Sequence, residues 1–282
     1  MPQSPLQIGA SLKRLRASHA ALIGRDQELA TLRASIQARR SVFVTGPSGV
    51  GKTALLHAVY GEWDADRAGF PLFYCAESST RRCIATHVLV NLLLNRGALR
   101  GEYIERRTTV ASLSGLRHFV SRQRLPDLKR LMHQNLQGRP ACLLLDHADH
   151  PDPKVAALLE VWLDSTPLVL VARDAASAGR ARWLLSAFEH LEIAPLPAPG
   201  LQHLAHAIAA HHVVSLRDGD LRELVQRAAG NPGRLHALLR LAARPEYQGN
   251  GAVRWSVVDF HVRISAIIDR SQGWTARSRT PS

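Results

Sequence analysis

The sequence is short of the residues on which several classes of protein depend. It has three cysteines in 282 residues, Cys75, Cys83 and Cys142, scattered and with no Cys-x-x-Cys pair. That count and spacing exclude a disulfide framework and a cysteine-ligated zinc site, and a reducing, cytoplasmic compartment is expected. No stretch approaches the roughly 18 uninterrupted apolar residues of a membrane-spanning helix, so no membrane partner is expected. The opening residues carry Pro and polar side chains where a secretory signal has its apolar run, so a signal peptide is not expected. Neither a Gly-x-Ser-x-Gly elbow nor a His-Glu-x-x-His pair is present, which sets aside serine-hydrolase and zinc-protease chemistry. Lysine is scarce too. Lys13, Lys52, Lys129 and Lys154 are the only four among 36 basic residues.

What is present is the composition of a folded protein, 46% apolar and 21% charged. Its formal net charge is +13, and arginine carries most of the excess. That charge is segregated along the chain: +5 over residues 1–40, zero over 41–95, +7 over 96–140, −4 over 141–199, +1 over 200–239 and +4 from 240 onward. The basic excess therefore lies outside the segments that read as core.

An amphipathic helix is expected from Asp26, an N-cap type, with Leu29, Leu32 and Ile36 on one face. Short apolar runs at 41–45, 71–76, 141–146, 168–172 and 191–194 read as strands of a parallel sheet. Helices are expected at 53–62, 83–95, 155–164 and 178–188, between most of these strands. The Arg-rich stretch 96–140, punctuated by Gly97, Gly101, Gly115 and Pro126, reads as helices and loops outside the sheet. After the proline-marked segment 195–200 the pattern becomes helical over 201–212, 219–229 and 232–243. Residues 253–268 fit strand or helix, and the last twelve read as a tail. The expected organisation is thus a basic N-terminal arm (1–20), an α/β domain (21–195) with a basic helical insertion (96–140), a helical lid (196–245) and a C-terminal segment (246–282).

One motif dominates. Gly46-Pro47-Ser48-Gly49-Val50-Gly51-Lys52-Thr53 is a full Gly-x-x-x-x-Gly-Lys-Thr phosphate-binding loop, set between a strand and a helix. Its glycines let successive backbone N–H groups turn inward around phosphate oxygens, and the helix that follows adds its positive end. Lys52 is placed to reach the β- and γ-phosphates, and the Thr53 hydroxyl to hold Mg²⁺. Asp146 ends an apolar strand, so it is the candidate second magnesium ligand, delivered beside the loop. It could instead cap the next turn.

The order of these features resembles the AAA+ superfamily, in its origin-recognition-like branch and the neighbouring STAND ATPases. The likeness runs from Leu22 to about Ala243. Leu22-Ile23-Gly24-Arg25-Asp26-Gln27-Glu28-Leu29 looks like the box preceding the nucleotide fold, and Leu168–Arg173 like the sensor-1 strand. Gly230-Asn231-Pro232-Gly233-Arg234 is similar to the sensor-2 region of a helical lid. The resemblance implies a P-loop sheet with a small helical lid, ATP and Mg²⁺ as ligands, and ATP-driven assembly or remodelling. It further implies that Ile23 and Gly24 border the adenine, that Arg25 lies near the nucleotide, and that Arg173 and Arg234 sense the phosphates. Each arginine also fits a surface charge, and the Gly-Asn-Pro-Gly run equally fits a helix stop and a Pro-started helix.

There is one departure from the family pattern. His147 stands where most members place the glutamate that orients the attacking water. Asp149 is the nearest acid, reading either as the catalytic base of a STAND-like Asp-x-x-Asp variant or as a loop cap. ATP binding is therefore better supported than turnover, and a nucleotide-gated scaffold acting on a protein partner, or as a homo-oligomer, is the alternative. The arginines of 96–140 suit non-specific contacts to nucleic-acid phosphates, or else solvated faces paired in part with Glu102 and Glu105. No helix-turn-helix or winged-helix pattern is recognisable after the lid, so origin-specific DNA binding is not expected.

Overall fold

A computed structural model describes residues 3–17, 22–103, 106–136, 140–163, 166–211, 217–249, 252–262 and 264. The chain divides into two compact units, Met1–Ala194 and Pro195–Ser282.

The first unit is a parallel sheet with helices around it. Helix α1 (Pro5–Ala17) precedes α2 (Asp26–Gln37), β1 (Val42–Thr45), α3 (Lys52–Glu62) and the short α4 (Ala65–Ala68). Next come β2 (Leu72–Cys75), α5 (Arg81–Arg96), a hairpin of β3 (Leu99–Tyr103) and β4 (Arg106–Val110), and helices α6 (Leu113–Arg122) and α7 (Leu125–Leu136). The chain then returns through β5 (Cys142–Leu145), α8 (Pro153–Leu163), β6 (Leu168–Val171), a 3₁₀ helix (Gly179–Ala187) and β7 (Glu189–Glu192). The sheet order is β2-β5-β6-β1-β7, with every pairing parallel. Strands β1, β2, β5 and β6 are buried at all four positions, as expected of strands covered on both faces.

Several expectations are corrected here. The N-terminal arm is a helix whose Ile8 and Leu12 are each only 2% exposed and belong to the main core. Its apolar spacing was masked by the surrounding basic residues. The basic insertion is not purely helical. It begins with an antiparallel hairpin in which Leu99 pairs with Val110, both buried. Polar Arg and Thr residues fill most of β4, so the apolar alternation that announces a strand is missing. The last strand lies two residues earlier than 191–194, and three of its four residues are exposed. An edge strand bearing Glu189, His190 and Glu192 resists pairing with another chain, and the same polarity hides it in the sequence. The segment 178–188 is 3₁₀ rather than α-helical. Strand β5 does not neighbour β1, because β6 lies between them.

The opposite edge, β2, is apolar and closed differently. Asn91 of α5, fully buried, lays its side-chain amide along the strand. Its Nδ2 donates to the Tyr74 carbonyl at 3.0 Å, and its Oδ1 accepts from the Tyr74 N–H at 3.3 Å. One amide thus replaces a missing strand neighbour at the point where an unpaired backbone would be buried.

The second unit packs α9 (Ala198–His211), α10 (Asp218–Ala228) and α11 (Pro232–Ala242) around Leu201, Leu221, Leu224, Leu235, Leu238 and Leu239. Leu204, Ile208 and Val225 pack partly buried against it. A 3₁₀ turn (Pro245–Tyr247) and a two-residue hairpin of β8 (Gln248–Gly249) and β9 (Ala252–Val253) follow. Residues 255–262 are helical. Buried Asp220 accepts from Trp255 Nε1 at 3.0 Å, and Arg227 bonds Asp259 and stacks over Trp255, so this stretch belongs to the unit's core. Residues 271–282, read as a tail, lie outside the described residues.

Candidate nucleotide site

The phosphate loop leaves β1 at its C-terminal end, where the remaining strands of a parallel sheet also deliver their ends. Gly46, Gly49 and Gly51 have φ of +147°, +79° and +109°. These are conformations that side-chain-bearing residues rarely adopt. Position 46 has a second constraint, since a Cβ there would stand 2.5 Å from the Ile193 carbonyl. Gly51 is the N-cap of α3, so the first N–H groups of that helix have no acceptor inside it. Pro47 and Val50 close the turn through a bond from the Val50 N–H to the Pro47 carbonyl at 3.3 Å. Ser48 and Thr53 complete the loop, Thr53 half-buried in the first turn of α3.

Lys52 extends back over this loop. Its ammonium donates to the carbonyls of Gly46 at 2.5 Å and Pro47 at 3.0 Å. Partial burial holds its pKa below the ordinary lysine value, opposed by the charges of Asp149 and Asp146 and reinforced by Arg173. The intervening β6 is what brings Arg173 to the loop. Its carbonyl accepts from the Gly46 N–H at 3.1 Å, and its own N–H donates to Asp149 Oδ1 at 2.8 Å. A single residue therefore joins the first glycine of the loop to Asp149, while its guanidinium stays exposed.

Asp146 is 1% exposed and bonded at both oxygens. The Tyr74 hydroxyl donates to Oδ2 at 3.0 Å, and the His147 N–H to Oδ1 at 2.9 Å. Ser78 Oγ donates to the Asp146 carbonyl. His57 Nε2 lies 2.9 Å from the Tyr74 hydroxyl, and burial lowers its pKa. Burial beside Asp146 drives the Tyr74 phenol well above its ordinary pKa, so it remains a proton donor. His147 takes a left-handed conformation, φ +51°, with its ring 67% exposed and Nε2 3.8 Å from Asp146 Oδ2.

The family box has a structural logic of its own. Arg25 is 5% exposed, which overturns the surface-charge alternative for this residue. It donates to Glu28 at 2.6 Å, to the Val50 carbonyl at 3.2 Å and to the Ala194 carbonyl at 2.5 Å. The guanidinium thus ties the start of α2 to the phosphate loop and to the residues after β7. Ile23 is half-buried in the turn before α2. Arg234 lies in the second unit, exposed at the start of α11, where Asn231 caps the helix through the Arg234 N–H at 3.0 Å. Gly230, φ +77°, accepts from the Leu196 N–H at 2.7 Å, so the Gly-Asn-Pro-Gly run is both helix stop and Pro-started helix.

Sequence reasoning did not find Tyr74, His57 or Ser78. Tyr74 lies inside an apolar strand, and its one signal is that a buried phenol needs a hydrogen-bond partner. Burial raises the pKa of all three cysteine thiols, which makes them poor nucleophiles. Among the described residues no group of three or more His, Cys, Asp or Glu could hold a metal ion, and no helix is long and apolar enough to cross a membrane.

A sequence profile described as "AAA ATPase domain" matches residues 21–172, more than half of the chain. The chain belongs to the AAA ATPase family. Its fold is similar to that of the Aeropyrum pernix ORC1 protein in a complex with DNA, at a TM-score of 0.60 and 18% identity over 87% of this chain and 66% of that one. A weaker likeness is to the RuvB Holliday junction branch migration motor of Thermotoga maritima, with a TM-score of 0.46, 15% identity, and 80% of this chain and 64% of that one covered. In both cases this chain spans less than two thirds of the other protein. No curated protein matches the sequence.

Proposed function

We propose that this chain binds Mg-ATP at the phosphate loop and hydrolyses it, and that the cycle drives assembly or remodelling on DNA. The observation that carries the reading is a glycine-built loop whose Lys52 ammonium lies on the Gly46 and Pro47 carbonyls while the Arg173 backbone joins Gly46 to Asp149. Thr53 and Asp146 supply hard oxygen donors of the kind Mg²⁺ takes, and they would hold the ion. When bound, Mg²⁺ neutralises charge on the β- and γ-phosphates. Lys52 would exchange its two carbonyl acceptors for phosphate oxygens. Asp149, its Oδ1 fixed by the Arg173 N–H, would accept the proton of the attacking water.

DNA as partner is supported by the basic segment and by the complex in which ORC1 was solved. Arg100, Arg117, Arg122, Arg124 and Arg130 are exposed, and none takes part in an ion pair among the described residues.

A second reading, a nucleotide-gated scaffold with little turnover, is favoured by His147. Its exposed ring replaces the usual carboxylate, and Asp149 already spends one oxygen on the backbone. The experiment measures Mg-ATP binding and phosphate release, with and without duplex DNA. Lys52→Ala is expected to abolish binding in a folded protein, and Asp149→Ala to preserve binding while reducing turnover at least tenfold. Unchanged affinity in folded Lys52→Ala would remove the site. Binding without turnover in the wild type would select the scaffold.

A further inference from the structure

The magnesium-side carboxylate is held by a relay that begins on the phosphate-loop helix. Asp146 is an acceptor when ionised, so the proton between it and Tyr74 belongs to the phenol. Tyr74 must therefore accept from His57, which fixes the His57 Nε2 as the protonated nitrogen. The chain of bonds runs from His57 on α3, five residues after Lys52, through the Tyr74 hydroxyl on β2 (2.9 Å), to Asp146 Oδ2 after β5 (3.0 Å). Asn91 clamps Tyr74 by its backbone, and the edge-on contact of the His57 and Tyr74 rings, 5.1 Å between centroids at 81°, fixes their mutual orientation. With the His147 N–H on Oδ1, the carboxylate is bonded on both oxygens and has one rotation available to it.

We infer that Tyr74, oriented by His57, is a positioning residue that aims the Asp146 carboxylate at the divalent cation of the bound nucleotide. This rests on the Mg-ATP reading above. The physical reason for such a device is that an acid used as a metal ligand loses little entropy on binding if its torsion is already set. Because α3 carries both Lys52 and His57, the same helix that meets the phosphates also sets the metal carboxylate.

The test uses the full chain and a fluorescent ATP analogue titrated with and without Mg²⁺. Tyr74→Phe deletes the hydroxyl and keeps the ring. Nucleotide affinity in EDTA is expected to match wild type, while the Mg²⁺ concentration for half-maximal enhancement of binding rises about tenfold to a hundredfold, as expected for loss of a metal ligand's supporting hydrogen bond. His57→Leu is expected to give a smaller shift in the same direction, and His57→Gln, whose amide can still donate, to restore the wild-type value. A merely structural role would change thermal stability alike in EDTA and Mg²⁺ and leave the Mg²⁺ midpoint in place. An unshifted Tyr74→Phe beside a shifted Asp146→Asn overturns the inference and leaves the nucleotide reading standing. A wild-type protein that binds no nucleotide removes both.

Discussion

Lys52 holds a charge that the fold itself disfavours. Burial lowers its pKa, and the nearby carboxylates only partly offset this. The folded protein therefore binds this proton less tightly than the unfolded chain does. The resulting loss of stability is complete at pH values below the depressed pKa and is relieved as pH climbs toward the ordinary lysine value. A Lys52→Met variant, which carries no proton there, should be closest to or above wild-type stability near neutral pH. Its standing should worsen relative to wild type between about pH 7 and about pH 10. Urea denaturation of both proteins at the two values measures this, and a difference that stays flat would show that burial does not tax the ammonium. Such a cost suits a site whose cation waits for an anion. The residue most exposed to sequence misjudgement is Arg25, which is buried and used three times inside the fold. The Gly-Arg-x-x-Glu spacing shows an i, i+3 pair, but nothing in it discloses the distant carbonyls of Val50 and Ala194.

At the scale of elements, the two edges of the sheet solve one problem in opposite ways. Strand β7 stays exposed and is charged, whereas β2 is apolar and depends on a single side chain, Asn91, for its outer hydrogen bonds. Asn91→Leu should leave the Tyr74 N–H and carbonyl buried without partners, costing about 2–4 kcal/mol. Chemical denaturation measures that loss, and a change below about 0.5 kcal/mol, the usual range for a surface substitution, would show that the amide is dispensable. The buried strands and most helices were legible because their apolar runs and 3.6-residue spacing survive in any context. The β3–β4 hairpin, the polar β7 and the core-packed α1 were not. Their burial is set by neighbours distant in sequence, and their composition follows the solvent or the partner they face.

For the whole molecule, the basic excess now has a partial location. Part of it, in α1, flanks a helix whose other face enters the core, so this charge is not on a free arm. The stretch 96–140 presents Arg117, Arg122 and Arg124 on and just after α6, exposed. If these meet phosphates, duplex binding should weaken steeply with salt, and each Arg→Ala change should reduce the slope of log affinity against log salt by about one. Fluorescence anisotropy between about 50 and 200 mM salt reads this, and slopes identical to wild type in all three variants would take the partner away from this face.

Local sequence was enough to specify the phosphate loop, the strand that carries Asp146, the helical second unit and the family. Those depend on short-range spacing and on periods fixed by backbone geometry. Only the folded chain shows that β6 separates β1 from β5, that the Arg173 backbone bridges the loop to Asp149, and that Tyr74 and His57 hold Asp146. Strand order and hydrogen bonds between residues 17 to 127 positions apart arise from packing in three dimensions, which no local pattern encodes.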